Sequence, residues 1–435
     1  MSSISITADQ ESFATREPAC FVAERRIWTH KKVRSPFLIF VWIAVATGAL
    51  AMFEPSPSDI AITLLLFVGF FAGTLRWDKQ LTLPLILLAL FVLANLASLC
   101  YAIEIEDSAT FLMVTMFMVL LWMFVLGVIT KYEEKGLQSL MLAFSFGGVV
   151  SALIALLCYF NLAPFGEWVL YYDRIKGFFK DPNVFGPYLV IVAVYALHSA
   201  LRGKALWRKL LWLASSLIAS VGMLLCYSRA AWINYAVTLP LFFGLSGFAK
   251  RDRRARRRNM IYFAIFTAII VAAIAYAMTI PQVNDVVSYR AEIQTYDADR
   301  FATFRAALWL GFSNPLGVGP GQSFLLLNYA THNVYLRVFS ENGILGFLTF
   351  LGFLLAALTR SILLSQRAVS ATQRSLFALV SAALFGTLVN SFTIDTLHWR
   401  HLWLLLALGW MPLWNNAARP QTKAFSPPTS IRTSR

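Results

Sequence analysis

Tyr329–Leu351 reads YATHNVYLRVFSENGILGFLTFL. From Val334 onward the residues are apolar enough for a helix that continues to about Leu358, and about 20 such residues span a bilayer. Yet Arg337 and Glu341 lie inside this segment, and His332 and Asn333 stand immediately before it. Charges within a membrane face a bundle interior or an aqueous cavity and pair with one another. Arg337 and Glu341 are one helical turn apart, so the spacing predicts an ion pair on one face. That pair would stiffen the wall beneath a site at the helix mouth, a structural rather than a catalytic role.

The composition extends this reading to the whole chain. Of 435 residues, 58% are hydrophobic and 14% charged, with mean hydropathy +0.65. Such numbers describe an all-α polytopic membrane protein and exclude a soluble globular one. Twelve segments have candidate length and apolarity: 37–53, 60–75, 81–102, 108–130, 137–160, 184–201, 210–226, 231–249, 259–280, 334–358, 375–392 and 402–414. The first of them reads as a retained span, because the preceding residues are too long and too charged for a cleaved leader. No internal repeat is evident.

The net charge of +15 lies in short basic runs between apolar segments rather than on a nucleic-acid-binding face. RWDKQ, RGKALWRK, KRDRRARRR and TRSILLSQRAVSATQR fall on alternate connections. By the positive-inside rule they are cytoplasmic, and so are both termini. Lys250–Arg258 then reads as a topology signal touching anionic lipid, not nucleic acid. Four cysteines without C-x-x-C spacing indicate neither a disulfide framework nor a zinc site.

The opposite side has two long connections, 161–183 and 281–333. Asp299–Trp309 in the second reads as a short helix, broken by SNPLGVGPGQ. Basic residues on this side run against the charge bias and need a reason: Arg174, Lys176, Lys180, Arg229, Arg290, Arg300, Arg305 and Arg400. Guanidinium groups grip phosphate oxygens in a fork, so an anionic ligand fits. Each arginine could equally pair with a carboxylate such as Asp173, Asp181 or Asp299, or with a headgroup. Arg229, in the tight turn CYSRAAW, has the least freedom to reach bulk water. His332 beside Asn333 has general-base chemistry, or else caps the following helix. His398 and His401, around Trp399 and Arg400, are secondary candidates. There is no phosphate-binding glycine loop or metal-ligand spacing, so no metal or cofactor is expected.

HNVYLRVFSENGILGFLTF resembles the signature helix start of the O-antigen ligase and polymerase superfamily. RIKGFFKDPNVFGPYL resembles its upstream element, YSRAAW its Ser-Arg turn, and NPLGVGPGQ its glycine-rich approach to the histidine, all in the family's order. The resemblance implies a membrane glycosyltransferase with a GT-C-like bundle and a helical periplasmic loop. It would take glycan from undecaprenyl diphosphate on the periplasmic face of the bacterial inner membrane. The acceptor would be a glycan or the lipid A core, and membrane lipid and other polysaccharide assembly proteins are the remaining partners. His332 would be the catalytic base, with Arg229, Arg174, Arg300 and Arg305 on the diphosphate. Asn333, Lys176, Arg290, His398, Arg400 and His401 remain secondary. In this frame 1–36 and 415–435 are cytoplasmic tails, and 37–160 and 359–414 are flanking transmembrane helices. Residues 161–358 form the ligase/polymerase-like core. A twelve-span transporter or lipid-glycan flippase is the alternative, and the sequence does not separate ligase from polymerase.

Overall fold

The computed structural model describes residues 36–248, 253–291, 295–327 and 329–414. Both tails, apart from Pro36 at the boundary of the first, lie outside the described residues, as does part of the Lys250–Arg258 run. The described chain is almost wholly α-helical. In order the elements are α1 (Pro36–Ala46), α2 (Pro57–Phe71), α3 (Thr82–Leu99), α4 (Ile105–Tyr159) and α5 (Gly166–Val169). A small antiparallel ribbon follows, β1 (Leu170–Tyr171) with β2 (Arg174–Ile175). Then come α6 (Pro182–Arg202), α7 (Leu206–Leu224), α8 (Arg229–Phe248), α9 (Arg253–Ala277) and α10 (Pro281–Ala291). The chain closes with α11 (Thr295–Ser313), α12 (Ser323–Leu327), α13 (Val334–Arg367), α14 (Ala371–Asn390) and α15 (Arg400–Gly409).

Each of the twelve apolar segments falls on a helix, two of them on α4. Among the described residues, five helical stretches are long and apolar enough to cross a membrane: Lys79–Leu99, Ile105–Tyr159, Pro182–Arg202, Val334–Arg367 and Ala371–Asn390. Pro36–Ala49 and Pro57–Phe71 are apolar but shorter. The protein is therefore an all-α membrane protein. Its interior is packed with Trp122, Phe353, Trp403 and Phe377, while Phe67, Phe71 and Leu64 on α2 are exposed, as lipid-facing residues are.

Two helices are broken, for different reasons. Glu133 in α4 has φ 52° and ψ −131°, within the charged KYEEK segment. A Cβ on Gly136 would lie 2.8 Å from the carbonyl oxygen of Val128. Eight residues along a straight helix would separate them by about 12 Å. The chain therefore folds back on itself at Glu133. In α13 the break is at Gly343, φ 68° and ψ −169°, a conformation open essentially to glycine alone.

The break in α13 frees backbone groups that a neighbouring loop satisfies. Val318 N–H donates to Ser340 C=O (3.1 Å) and Gly319 N–H to Glu341 C=O (3.1 Å). Ile344 N–H donates to Pro315 C=O (2.9 Å). A Cβ on Gly343 would meet that Pro315 oxygen at 2.2 Å. The glycine-rich segment thus docks backbone to backbone on the broken helix, so few side chains but glycine fit there.

Side-chain contacts gather one set of connections at one end of the bundle. Lys180 pairs with Glu54 at 2.6 Å, Gln322 Oε1 accepts from Glu104 N–H at 2.9 Å, and Arg400 pairs with Asp59. At the other end Arg202 donates to Thr372 Oγ1 (2.7 Å). There Arg360 donates to the carbonyls of Gly409 (2.6 Å) and Met411 (3.2 Å), a cation on the C-terminal end of α15.

Three expectations change in detail. The long connection 281–333 is mostly helical, as α10, α11 and α12, and α11 runs beyond the Asp299–Trp309 reading at both ends. The last apolar segment is α15, only 10 residues or about 15 Å long, half a hydrocarbon core. Its residues His401–Gly409 are all buried, which makes it an interior helix.

Candidate active site

Arg174 leads into the site because it ties three segments together. It lies on β2 and is 9% exposed. Its Nε donates to Cys226 C=O and an Nη to Asn183 Oδ1, both at 2.9 Å. Cys226 opens the Ser-Arg turn, while Asn183 opens α6, where Asp181 caps the helix by accepting from Asn183 N–H at 2.7 Å. Ile175 N–H donates to Leu225 C=O (3.0 Å), so the ribbon itself is laced to the turn.

That turn presents Arg229 as the first residue of α8, half-buried. Tyr227 before it has φ 47°, and its hydroxyl lies 2.9 Å from that of Tyr159. A helix N-terminus favours anions and disfavours cations. Arg229 there raises the local positive potential further, the arrangement of an anion site.

His332 precedes α13 in the left-handed region, φ 43°, uncommon for a non-glycine residue. Its ring packs edge-on against Tyr329, centroids 5.6 Å apart. Burial is the main influence on the imidazole, and with Arg300 it holds the group below the ordinary histidine range. Asp395 and Asp181 act in the opposite direction and Arg337 adds to the lowering. Arg300 of α11, Asp181 of the first long connection, and Asp395 and Arg337 thus all lie near enough to His332 to act on its charge. Asn333, 6% exposed, is the N-cap of α13: its Oδ1 accepts from Leu336 N–H at 3.1 Å.

Below His332 lies an ion network. Arg337 Nε donates to Glu341 Oε1 at 3.1 Å, and the same guanidinium pairs with Asp395 and lies over the Phe111 ring, 4.2 Å from its centroid. Glu341, whose side chain is 1% exposed, also accepts from Gly321 N–H (2.8 Å), Ser323 N–H (3.3 Å) and Ser323 O–H (2.6 Å). One carboxylate thus anchors the loop that leads to His332. Burial alone would raise the Asp395 carboxyl, but Arg337 and His398 overcome it and hold the group below the usual carboxylate range. His398 Nε2 lies 2.9 Å from Thr115 Oγ1, and burial pushes its imidazole down to about 4, so it stays neutral.

The other sequence candidates divide. Arg300 is half-buried beside His332, Arg305 is exposed on the same helix, and Lys176 is half-buried after β2. Arg290 lies on α10 with its side chain outside the described residues. Arg400 is held by both oxygens of Asp59, its Nε 2.6 Å from Oδ1. His401, 2% exposed, packs between Trp399 and Tyr188 and lines a cavity whose lining does not include His332. Asp395, Asp59 and Gln322 were missed, because their partners lie 58, 341 and 218 positions away. The Gly343 break had a signal, the Asn342–Gly343 dipeptide inside an otherwise helical run.

Residues 214–351 match the family model described as O-Antigen ligase. The matched span holds the Ser-Arg turn, Arg229, Arg300, Arg305, His332, Arg337 and Glu341; Arg174 and Asp395 lie outside it. No curated protein matches the chain. The similarity to that family thus covers residues 214–351, the part of this membrane protein that holds the Ser-Arg turn and His332.

Proposed function

We propose that the chain is a metal-independent, inverting glycosyltransferase of GT-C type that uses glycan carried on undecaprenyl diphosphate. It acts at the periplasmic face of the inner membrane, either polymerising the glycan or ligating it to lipid A core. The observation that carries this reading is the lacing by Arg174 of the first long connection to the Ser-Arg turn, with Arg300 and Asp181 near enough to His332 to act on its charge.

The acceptor hydroxyl gives its proton to the neutral His332 imidazole and attacks the anomeric carbon from the face opposite the diphosphate. The C–O bond to the diphosphate breaks, and negative charge grows on the departing oxygen. Arg229 and Arg300, with Arg305 further out on α11, meet that charge. Arg174, bonded to Cys226 C=O and Asn183 Oδ1, holds the turn in place. Positive groups fixed in advance stabilise the transition state without reorganisation and need no metal. Lys176, half-buried after β2, contributes to the field around the donor. Strain at a functional residue, here the positive φ of His332, accords with pre-organisation.

One observation favours the transporter or flippase alternative. A glycine-broken membrane helix is a common transporter feature, and α13 has one. Here, however, the freed backbone groups bond to residues 315–319 rather than lining an open path.

Deletion of the gene tests the reading in cells. Single repeat units accumulating on lipid indicate a polymerase, and loss of attachment to core indicates a ligase. Unchanged surface glycan would contradict both.

A further inference from the structure

A cavity of about 250 Å³ opens between α1, α2, α4, α6 and α15. Its floor is apolar, formed by Val45, Ile62, Leu121, Val125, Phe144 and Leu404. At its rim stand Glu54 and Lys180, ion-paired at 2.6 Å with side chains 63% and 53% exposed. Further in, Arg400 is already taken by Asp59, and His401 leaves Nε2 without a hydrogen-bond partner.

Filled with water, this space would hold roughly eight molecules, each needing two to four polar partners. The lining is mainly apolar, with Ser58 and Tyr188 its neutral polar exceptions and the Tyr188 hydroxyl already bonded to Phe144 C=O, so hydrocarbon is the better occupant, and in a membrane protein a lipid chain is at hand. The rim narrows the choice of headgroup. An exposed ion pair of this kind contributes at most about 1 kcal/mol and opens easily. A purely anionic headgroup would meet Lys180 but leave Glu54 repelling it. A headgroup with neighbouring positive and negative charges satisfies both residues at once.

We propose that this cavity is a lipid site that takes one chain of a zwitterionic phospholipid, with its phosphate against Lys180 and its ammonium against Glu54. His398 lines the same cavity and bonds Thr115 on α4. The bound chain therefore braces the 395–401 segment, which carries Asp395 onto Arg337.

The test uses the full chain in nanodiscs of equimolar phosphatidylethanolamine and phosphatidylglycerol. The protein is transferred to mild detergent and its retained lipid identified by native mass spectrometry. Elution volume and thermal unfolding are recorded for every variant to show that it is folded. Wild type should retain one phosphatidylethanolamine. Leu404→Trp, which fills the floor, and Lys180→Glu, an exposed change that spares the core, should each retain at least about tenfold less. Adding Glu54→Lys to Lys180→Glu should restore retention, since the charges then match the headgroup reversed. The proposal is overturned if wild type keeps no lipid, if a folded Lys180→Glu retains as much as wild type, or if phosphatidylglycerol or an isoprenoid phosphate is kept in preference. Retention is measured without any transfer assay, so this result is separable from the fate of the proposed reaction.

Discussion

Arg337 and Asp395 stand 58 positions apart in the chain and form an ion pair, closing the segment after α14 onto the helix that follows His332. Glu341 holds the same guanidinium from within α13 and, with its remaining lone pairs, the Gly321–Ser323 loop. Glu341→Ala removes the acceptor from three loop donors and leaves Arg337 with a single carboxylate. Hydrogen bonds to charged groups contribute about 1.5–3 kcal/mol each, so a loss of about 3 kcal/mol is expected. Thermal unfolding in detergent should show it, and Glu341→Gln, which keeps an oxygen acceptor, should recover part.

Gly343→Ala should be at least as damaging. Its backbone conformation is closed to alanine at a cost of about 1–3 kcal/mol, and the new methyl would meet the Pro315 oxygen at 2.2 Å. The account expects poor expression or a lowered unfolding temperature, rather than a folded enzyme with slower chemistry.

Arg400 and Asp59 should behave as one unit. Breaking a largely buried pair costs about 3–5 kcal/mol, because the remaining charge is stranded. Arg400→Ala and Asp59→Ala should each destabilise, and the double variant should be no worse than either. Activity per folded molecule should remain near wild type in Arg400→Ala. A selective loss of turnover there would return Arg400 to the site.

The pH profile follows from the surroundings of His332. Burial and Arg300 lower its affinity for a proton, so the neutral base persists to lower pH than for an ordinary histidine near 6.5. Activity should fall on acidification only below that value. Arg300→Gln removes a lowering influence, and the acid limb should move to higher pH. Asp395→Asn removes a raising influence, and the limb should move the other way.

How much of this was legible beforehand depends on the range of each interaction. The i, i+4 spacing of Arg337 and Glu341 placed them on one face, and the charged KYEEK run separated the two apolar halves of α4 where the helix breaks at Glu133. Those are local signals. Asp395 on Arg337, Asp59 on Arg400 and Gln322 on Glu104 join segments distant in sequence, and nothing in the local pattern marks the partner. Asn333 reads as a site residue from its place beside His332, yet its side chain is spent capping α13. The glycines of NPLGVGPGQ signal a tight loop, but only the fold reveals that they allow contact with a broken helix.

The most direct test is release of undecaprenyl diphosphate by purified protein reconstituted with a lipid-linked glycan donor and its acceptor. Wild type should release it as product glycan forms. His332→Ala should lower the rate by about 10²–10⁴, the usual range for a general base, and Arg229→Ala by about 10²–10³, with both variants folded. Full activity in both would contradict the account.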